Sequence, residues 1–207
     1  MPDLMLYLLA ALGSYLVGVV SVRIRSAMIH ARDDDAARTH GFSRIRPVSM
    51  RRGWSFLRVT RSYARGPMRV DLYHDRDADR SILERLGLSV ALETYAISFP
   101  CDAKGADATF RRAGAFSDIG REWDFVDRFP ELVDIDITTK DPEGLMAALT
   151  PARIAYLSDL PDRVLQVWIH DHRVFLIMRA SDFEDLMRSE QAITAAMDAF
   201  GEPTNLL

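Results

Sequence analysis

Few residues in this chain have the types and spacing that chemistry needs. Asp75, Asp77 and Asp79 put carboxylates at positions one, three and five of a loop, with Ile82 at position eight, an echo of an EF-hand calcium loop. Position six, where the loop needs glycine, is Arg80, and position twelve, where it needs a bidentate glutamate, is Leu86. A solvated acidic turn is the better reading. His170 and His172 are two apart, a spacing that puts imidazoles on one face of a strand and suits a metal. They flank Asp171 between two apolar runs, however, which makes a hairpin corner, and His30, His40 and His74 are distant in sequence. Cys101, the single cysteine, follows Pro100; as a nucleophile it would need a histidine and an orienting group converging on it. A structural place at a strand end fits it better. Glu122 to Phe129 (EWDFVDRF) reads as a loop or short helix packing Trp123, Phe125 and Phe129 rather than as a binding site.

The glycine-rich phosphate loops, the nucleophile elbow, HExxH and CxxC are all absent from the sequence. No catalytic, cofactor-binding or metal-ligating residue is therefore expected, and a non-enzymatic role is favoured.

The elements that would carry any function begin with the first two dozen residues. Leu4 to Val22 (LMLYLLAALGSYLVGVVSV) contains no charged side chain. At about 1.5 Å per residue this run gives roughly 28 Å of helix, close to the ~30 Å hydrocarbon core of a bilayer. Asp3 precedes it, and it exits into Val22-Arg23-Ile24-Arg25, which argues against a cleaved signal peptide. It also lacks the polar stripe of a helix buried in a soluble domain. Arg23, Arg25 and Arg32 follow the run while no Lys or Arg precedes it, so the positive-inside rule predicts an outside N-terminus and a cytoplasmic remainder at a bacterial inner membrane. A lone cysteine fits a reducing compartment. Ala10, Ser14 and Gly18 recur every four residues, with Ser21 three further on, a small-residue face of the kind that lets membrane helices pack closely.

Charge divides the rest. The 207-residue chain has a formal net charge of −4, but residues 23–65 hold eleven Arg against three Asp, while residues 66–207 hold fifteen Lys plus Arg against twenty-six Asp plus Glu. The expected organisation is a transmembrane anchor over 1–30, an Arg-rich juxtamembrane connector over 31–65 and an acidic α+β domain over 66–207. Arg23, Arg25, Arg51, Arg52, Trp54, Arg58 and Arg61 are the expected contacts with anionic lipid, at about 1 kcal/mol per basic residue near the surface, or with a protein partner. Their mixture with aromatics also suits nucleic acid, which the acidic remainder and the membrane tether disfavour.

Within the domain, Met68–Tyr73 and Leu132–Thr138 alternate as strands do, the second with Val133, Ile135 and Ile137 on one face. Ser89–Phe99 and Ala108–Phe116 read as further strands, and Trp54–Tyr63 as a strand or an amphipathic segment. Arg80–Leu86 reads as a helical turn or two. Asp141 and Thr150 are expected N-caps, each followed by proline, for helices over 142–149 and 151–158. Val164–Ile169 and Arg173–Met178 form a hairpin. Ser181 should cap one final helix from Asp182 to Phe200. Strands and helices without βαβ regularity make the class α+β, with antiparallel strands and a C-terminal helix.

Gly120 to Phe129, the strand through Ile135 and Ile137, Leu149-Thr150-Pro151 and the hairpin around Val167–Leu176 resemble a pattern in a family of bacterial membrane-anchored proteins with no established activity. The likeness covers roughly residues 116 to 200. It implies a cytoplasmic α+β domain behind membrane-spanning segments and no catalytic residues; the single anchor and long Arg-rich collar depart from the pattern. The expected function is an accessory, assembly or scaffolding subunit of a larger membrane complex, partnered by membrane lipid and by a membrane protein or a second copy of the chain. The alternative is a membrane-anchored sensor or enzyme with a pocket that sequence does not reveal.

Overall fold

Tight hairpins build most of this fold. In the computed structural model the described residues are 12–15, 17, 20, 28, 31–47, 57–75, 93–103, 106–113 and 128–201, with the side chains at 57, 58, 74 and 75 excepted. Strands β2 (Leu57–Arg65) and β3 (Met68–Asp75) meet at Gly66-Pro67. Gly66 has φ 56°, the left-handed conformation that a two-residue hairpin loop needs at its first central position. Strands β7 (Val164–His170) and β8 (Arg173–Ala180) turn through Asp171 and His172, both at positive φ. The corner expected at these histidines is therefore present.

With β1 (Ser43–Ile45), β4 (Glu93–Pro100), β5 (Ala108–Arg112) and β6 (Ile135–Thr139), the strands form one eight-stranded sheet in the order β1-β2-β3-β4-β8-β7-β5-β6. Every neighbouring pair is antiparallel. The join between the N- and C-terminal halves is β4 on β8, in register from Glu93↔Ala180 to Pro100↔Arg173. The α+β class is as the sequence predicts.

Helix α1 covers 31–39. Helices α2 (Pro142–Ala148) and α3 (Pro151–Ser158) start where expected: Asp141 Oδ1 accepts from Gly144 N at 2.9 Å and Thr150 Oγ1 from Arg153 N at 3.4 Å. The last helix differs from the single one expected. It is two, α4 (Phe183–Met187) and α5 (Glu190–Phe200), and the cap is Asp182, whose Oδ1 accepts from Asp185 N, rather than Ser181. The buried residues of α4 are Phe183, Leu186 and Met187, and those of α5 are Ile193, Ala196 and Phe200. At 3.6 residues per turn these two sets are out of phase. A continuous helix would swing Glu190 toward the core, and the break at Arg188-Ser189 rotates it out.

Two other expectations change. Val133 is exposed, because a 3₁₀ turn over Pro130–Leu132 buries Leu132 instead and β6 starts only at Ile135. The segment 31–65 is no mere connector: α1, β1 and β2 lie within it, and Ala37, Phe42 and Tyr63 are core residues. Residues 80–86, 89–92 and 114–127 lie outside the described set, as does most of the run from Leu4 to Val22. Among the described residues no helix is long and apolar enough to cross a membrane. Every described position from 12 to 28 is helical nonetheless, and Leu12, Tyr15, Val17, Val20 and Met28 are 52–68% exposed.

The two sheet faces differ. One carries Val70, Leu72, Tyr95, Ile97, Phe99, Val167, Val174, Leu176 and Met178 in the same core as the buried side of α2–α5. The other holds a smaller apolar cluster, Tyr73, Ala96, Phe175 and Ile177 with Val59 and Trp168 against it, beside buried Ser62, Asp71 and Ser98.

Candidate functional site at the junction of the first helix and the sheet

Helix α1 carries three successive aspartates, Asp33, Asp34 and Asp35. They sit inside α1 and act elsewhere. A four-residue spacing puts Asp33 and Ala37 on one side, and both are buried. Asp33 Oδ1 accepts from Phe183 N at 2.9 Å, so a carboxylate from the first helix satisfies an unpaired amide at the start of α4. Burial raises the pKa of Asp33, while the Phe183 N–H and Arg61 act to lower it and Asp182 and Glu93 to raise it.

Asp34 lies one residue round the helix and gathers three donors. Arg44 Nη1 reaches its Oδ2 at 2.9 Å; Arg61 Nη1 and the Tyr63 hydroxyl reach its Oδ1 at 3.1 and 2.8 Å. Arg61 and Tyr63 are two apart on β2 and so share the helix-facing side of the sheet. Burial pushes the Tyr63 phenol up to about 12, so it remains a donor at neutral pH.

Further pairs tie the same segment to the C-terminal helices. Arg32 meets Asp182 at 3.7 Å, His40 Nε2 meets Glu184 at 3.2 Å, and Arg65 meets Glu190 at 3.4 Å while donating to the His40 carbonyl. Beneath them the Phe183 ring stands edge-on to Phe42, Tyr63 and Tyr95 with centroids 5.4, 5.1 and 6.5 Å away. The Arg65 guanidinium lies 4.8 Å over Phe42. A cleft of about 340 Å³ opens here, lined by Asp34, Arg38, Phe42, Ser43, Arg44 and Tyr63. Chemically this is a latch: a carboxylate saturated by cationic and phenolic donors, packed over an aromatic plug.

Of the residues that the sequence singles out, Ser14 is helical and exposed. Ala10, Gly18, Ser21, Arg23, Arg25, Arg51, Arg52 and Trp54 lie outside the described residues, and Arg58 is in β2 with its side chain outside them. Arg61 faces inward: its side chain is only 12% exposed and is held by Asp34. Asp33, Asp34, Tyr63 and Phe183 are the members that sequence reasoning misses. A faint signal was available, since Asp33-Asp34-Asp35 is the only acidic run in a stretch of eleven arginines.

The candidates for chemistry are dispersed. His170 stacks on Trp168 at 4.8 Å and pairs with Asp107 at 3.4 Å, and Trp168 Nε1 donates to the same carboxylate. The His172 carbonyl accepts from Cys101 N. Cys101 is buried, and its Sγ accepts from Ala103 N. Among the described residues no group of three or more His, Cys, Asp or Glu could hold a metal ion. Asp77 and Asp79 lie outside that set.

No family model matches the chain. No curated protein matches it. Among solved structures, the fold is similar to the crystal structure of the mycobacterial trehalose monomycolate transport factor A, TtfA, with a TM-score of 0.53 and 10% sequence identity, over 83% of this chain and 93% of that one. At that identity the likeness is one of fold.

Proposed function

We propose that this protein is a non-enzymatic, single-pass membrane protein whose α+β domain acts in the cytoplasm as an accessory, assembly or scaffolding subunit of a larger membrane complex. The observation that carries the reading is that the described positions 12–15, 17, 20 and 28 are helical and that Leu12, Tyr15, Val17, Val20 and Met28 expose their apolar side chains. Large exposed apolar surface of this kind marks contact with a membrane or a partner. Sequence supports the membrane, because the uncharged run from Leu4 to Val22 ends in Arg23 and Arg25.

The latch supports the rest of the reading. An anchor that merely tethered a domain would be followed by a loose linker, whereas here α1 is fastened by Asp33 and Asp34 to both the sheet and α4. Ala10, Ser14, Gly18 and Ser21 form the proposed helix-packing face. Arg23, Arg25, Arg51, Arg52, Trp54 and Arg58 are the proposed contacts with lipid headgroups or a partner, and Arg61 serves the latch. A fold shared with a protein named as a transport factor fits an accessory role.

Membrane fractionation tests the anchor. The full chain should stay with membranes through high-salt and alkaline washes and enter solution only with detergent, and recovery in the soluble fraction without detergent would overturn the reading. Gly18→Ile should reduce co-purification of a stoichiometric partner from gently solubilised membranes. A partner retained in full would remove the packing face from the proposal.

A further inference from the structure

On the sheet face away from the helices, one arginine has no carboxylate partner among the described residues. Asp71 is buried and accepts from Ser62 Oγ and from Arg69, whose Nε lies 2.9 and 2.8 Å from its two oxygens. Arg69 and Asp71 neutralise each other. Ser98, also buried, is the register partner of Arg69 on the next strand. The Arg173 guanidinium reaches the other side of Ser98: its Nη2 donates to the Ser98 carbonyl and Oγ, each at 3.2 Å, and to the Pro67 carbonyl at 3.3 Å. All three acceptors are neutral, and among the described residues no carboxylate pairs with Arg173.

Two guanidiniums thus flank one serine and share one carboxylate, which leaves the group with a net positive charge. Burial lowers the pKa of Arg173 and the charge of Arg69 lowers it further, while the Asp71 carboxylate acts to raise it. A cation held where its charge is disfavoured, with only Nη2 of its fork engaged among the described residues, gains most from an anion. Both arginines keep solvent access, Arg69 at 23% side-chain exposure and Arg173 partly exposed. His170, paired with Arg173 across the β7–β8 hairpin, lies on the same face and is held by Asp107.

We infer that Arg173 and Arg69, on either side of the buried Ser98, form a binding site for a phosphate group, presented by a free phosphate or by a lipid headgroup. Guanidinium forks match the oxygen spacing of phosphate and bind it through charge-assisted hydrogen bonds. The Asp71 carboxylate holds Arg69 by its Nε and Nη2, so the ligand would meet Arg69 through Nη1.

Titration of the full chain in mild neutral detergent with inorganic phosphate, and separately with dihexanoyl phosphatidylglycerol, tests the site through NMR amide shifts at Ser98 and Arg173 and the indole shift of Trp168. The expected result is saturable shifts at these positions with at least one probe. A response to phosphate alone assigns the site to free phosphate, and a response to the lipid alone assigns it to a headgroup; either supports the proposal. Arg173→Gln should weaken binding by about tenfold or more. If that variant loses its dispersed spectrum, Arg173→Lys decides, since it keeps the charge without the fork and should bind several-fold more weakly. Absence of saturable shifts with both probes, or parental affinity in the variants, overturns the site.

Discussion

The two faces of the sheet solve burial in opposite ways. Toward the helices, β3, β4, β7 and β8 present aliphatic and aromatic side chains almost without interruption, and the stabilisation is apolar burial at roughly 25 cal/mol per Å². On the other face the same strands present Asp71, Ser98 and Arg173 beside Ala96, Phe175 and Ile177. There the polar groups are buried only because each has a partner. Strand β4 shows the contrast in five residues: Tyr95, Ile97 and Phe99 go one way, Ala96 and Ser98 the other, and all are buried. Apolar burial tolerates no loss of volume, whereas a paired polar cluster tolerates no loss of a partner.

The largest predicted effect tests the apolar face. Phe183 is fully buried and stands edge-on to three aromatic rings. Phe183→Ala should cost about 3–5 kcal/mol, because Phe42, Tyr63 and Tyr95 are held from several elements and cannot all collapse into the cavity. Urea unfolding should show a lower midpoint with an unchanged slope. An effect below 1 kcal/mol would mean that the aromatic plug is not a core element.

Asp71→Ala makes the corresponding test on the second face. It strands the Arg69 guanidinium and deprives Ser62 of its acceptor. Breaking a fully buried pair costs ~3–5 kcal/mol, and the partial exposure of Arg69 reduces the expectation to about 2–3 kcal/mol. Replacing Asp71 and Arg69 together by apolar residues should recover much of the loss. A double variant as damaged as the single one would show that the aspartate contributes something other than pairing.

The sequence shows these two faces unequally. Alternation in Met68–Tyr73, the caps at Asp141 and Thr150 and the corner at Asp171-His172 are local signals, and the structure has each of them in place. Charge pairing is not local. Arg32, His40 and Arg65 find Asp182, Glu184 and Glu190 more than a hundred residues away. A collar of arginines therefore reads as a free basic surface when α1, β1 and β2 in fact belong to the fold. The division of the last helix at Ser189 was equally hidden, because it depends on which side of α5 must meet the core and not on any strong breaker. The junction at Asp33 and Asp34 was illegible for the first reason: its partners come from β1, β2 and α4 together.

Asp33 lies on the apolar side yet behaves as a member of the polar class, so its variants sharpen the distinction. Asp33→Ala removes the acceptor for Phe183 N and should cost about 1–2 kcal/mol, as the loss of a helix cap does. Asp33→Asn keeps an acceptor oxygen and removes the buried charge. The folded pKa of Asp33 is raised above its ordinary 3.8, so the folded state binds this proton more tightly than the unfolded chain does. Its contribution is then present at acid pH and lost as pH rises from about 4 through the raised value. In Asp33→Asn that fall should disappear from urea midpoints measured against pH. A parental fall retained in the variant would show that another group causes it.

Tyr95 makes the finest separation between the faces. It is fully buried on the apolar side, and its hydroxyl has no hydrogen-bond partner among the described residues. Burial raises its phenol well above the ordinary range, with the carboxylates of Asp33, Glu93 and Asp182 adding to the effect. Tyr95→Phe removes an unsatisfied donor without changing the packing of the ring on Phe183, and should stabilise the protein by about 1 kcal/mol. Ser62→Ala removes a single hydroxyl on the second face, but one that donates to Asp71 and accepts from Arg69. It should destabilise by about 1 kcal/mol, because Asp71 then stays buried with one donor fewer. Opposite signs from two hydroxyl deletions, read in paired unfolding curves, are what partner-dependent burial requires. The same sign in both would mean that the faces differ in composition but not in how their polar groups are held.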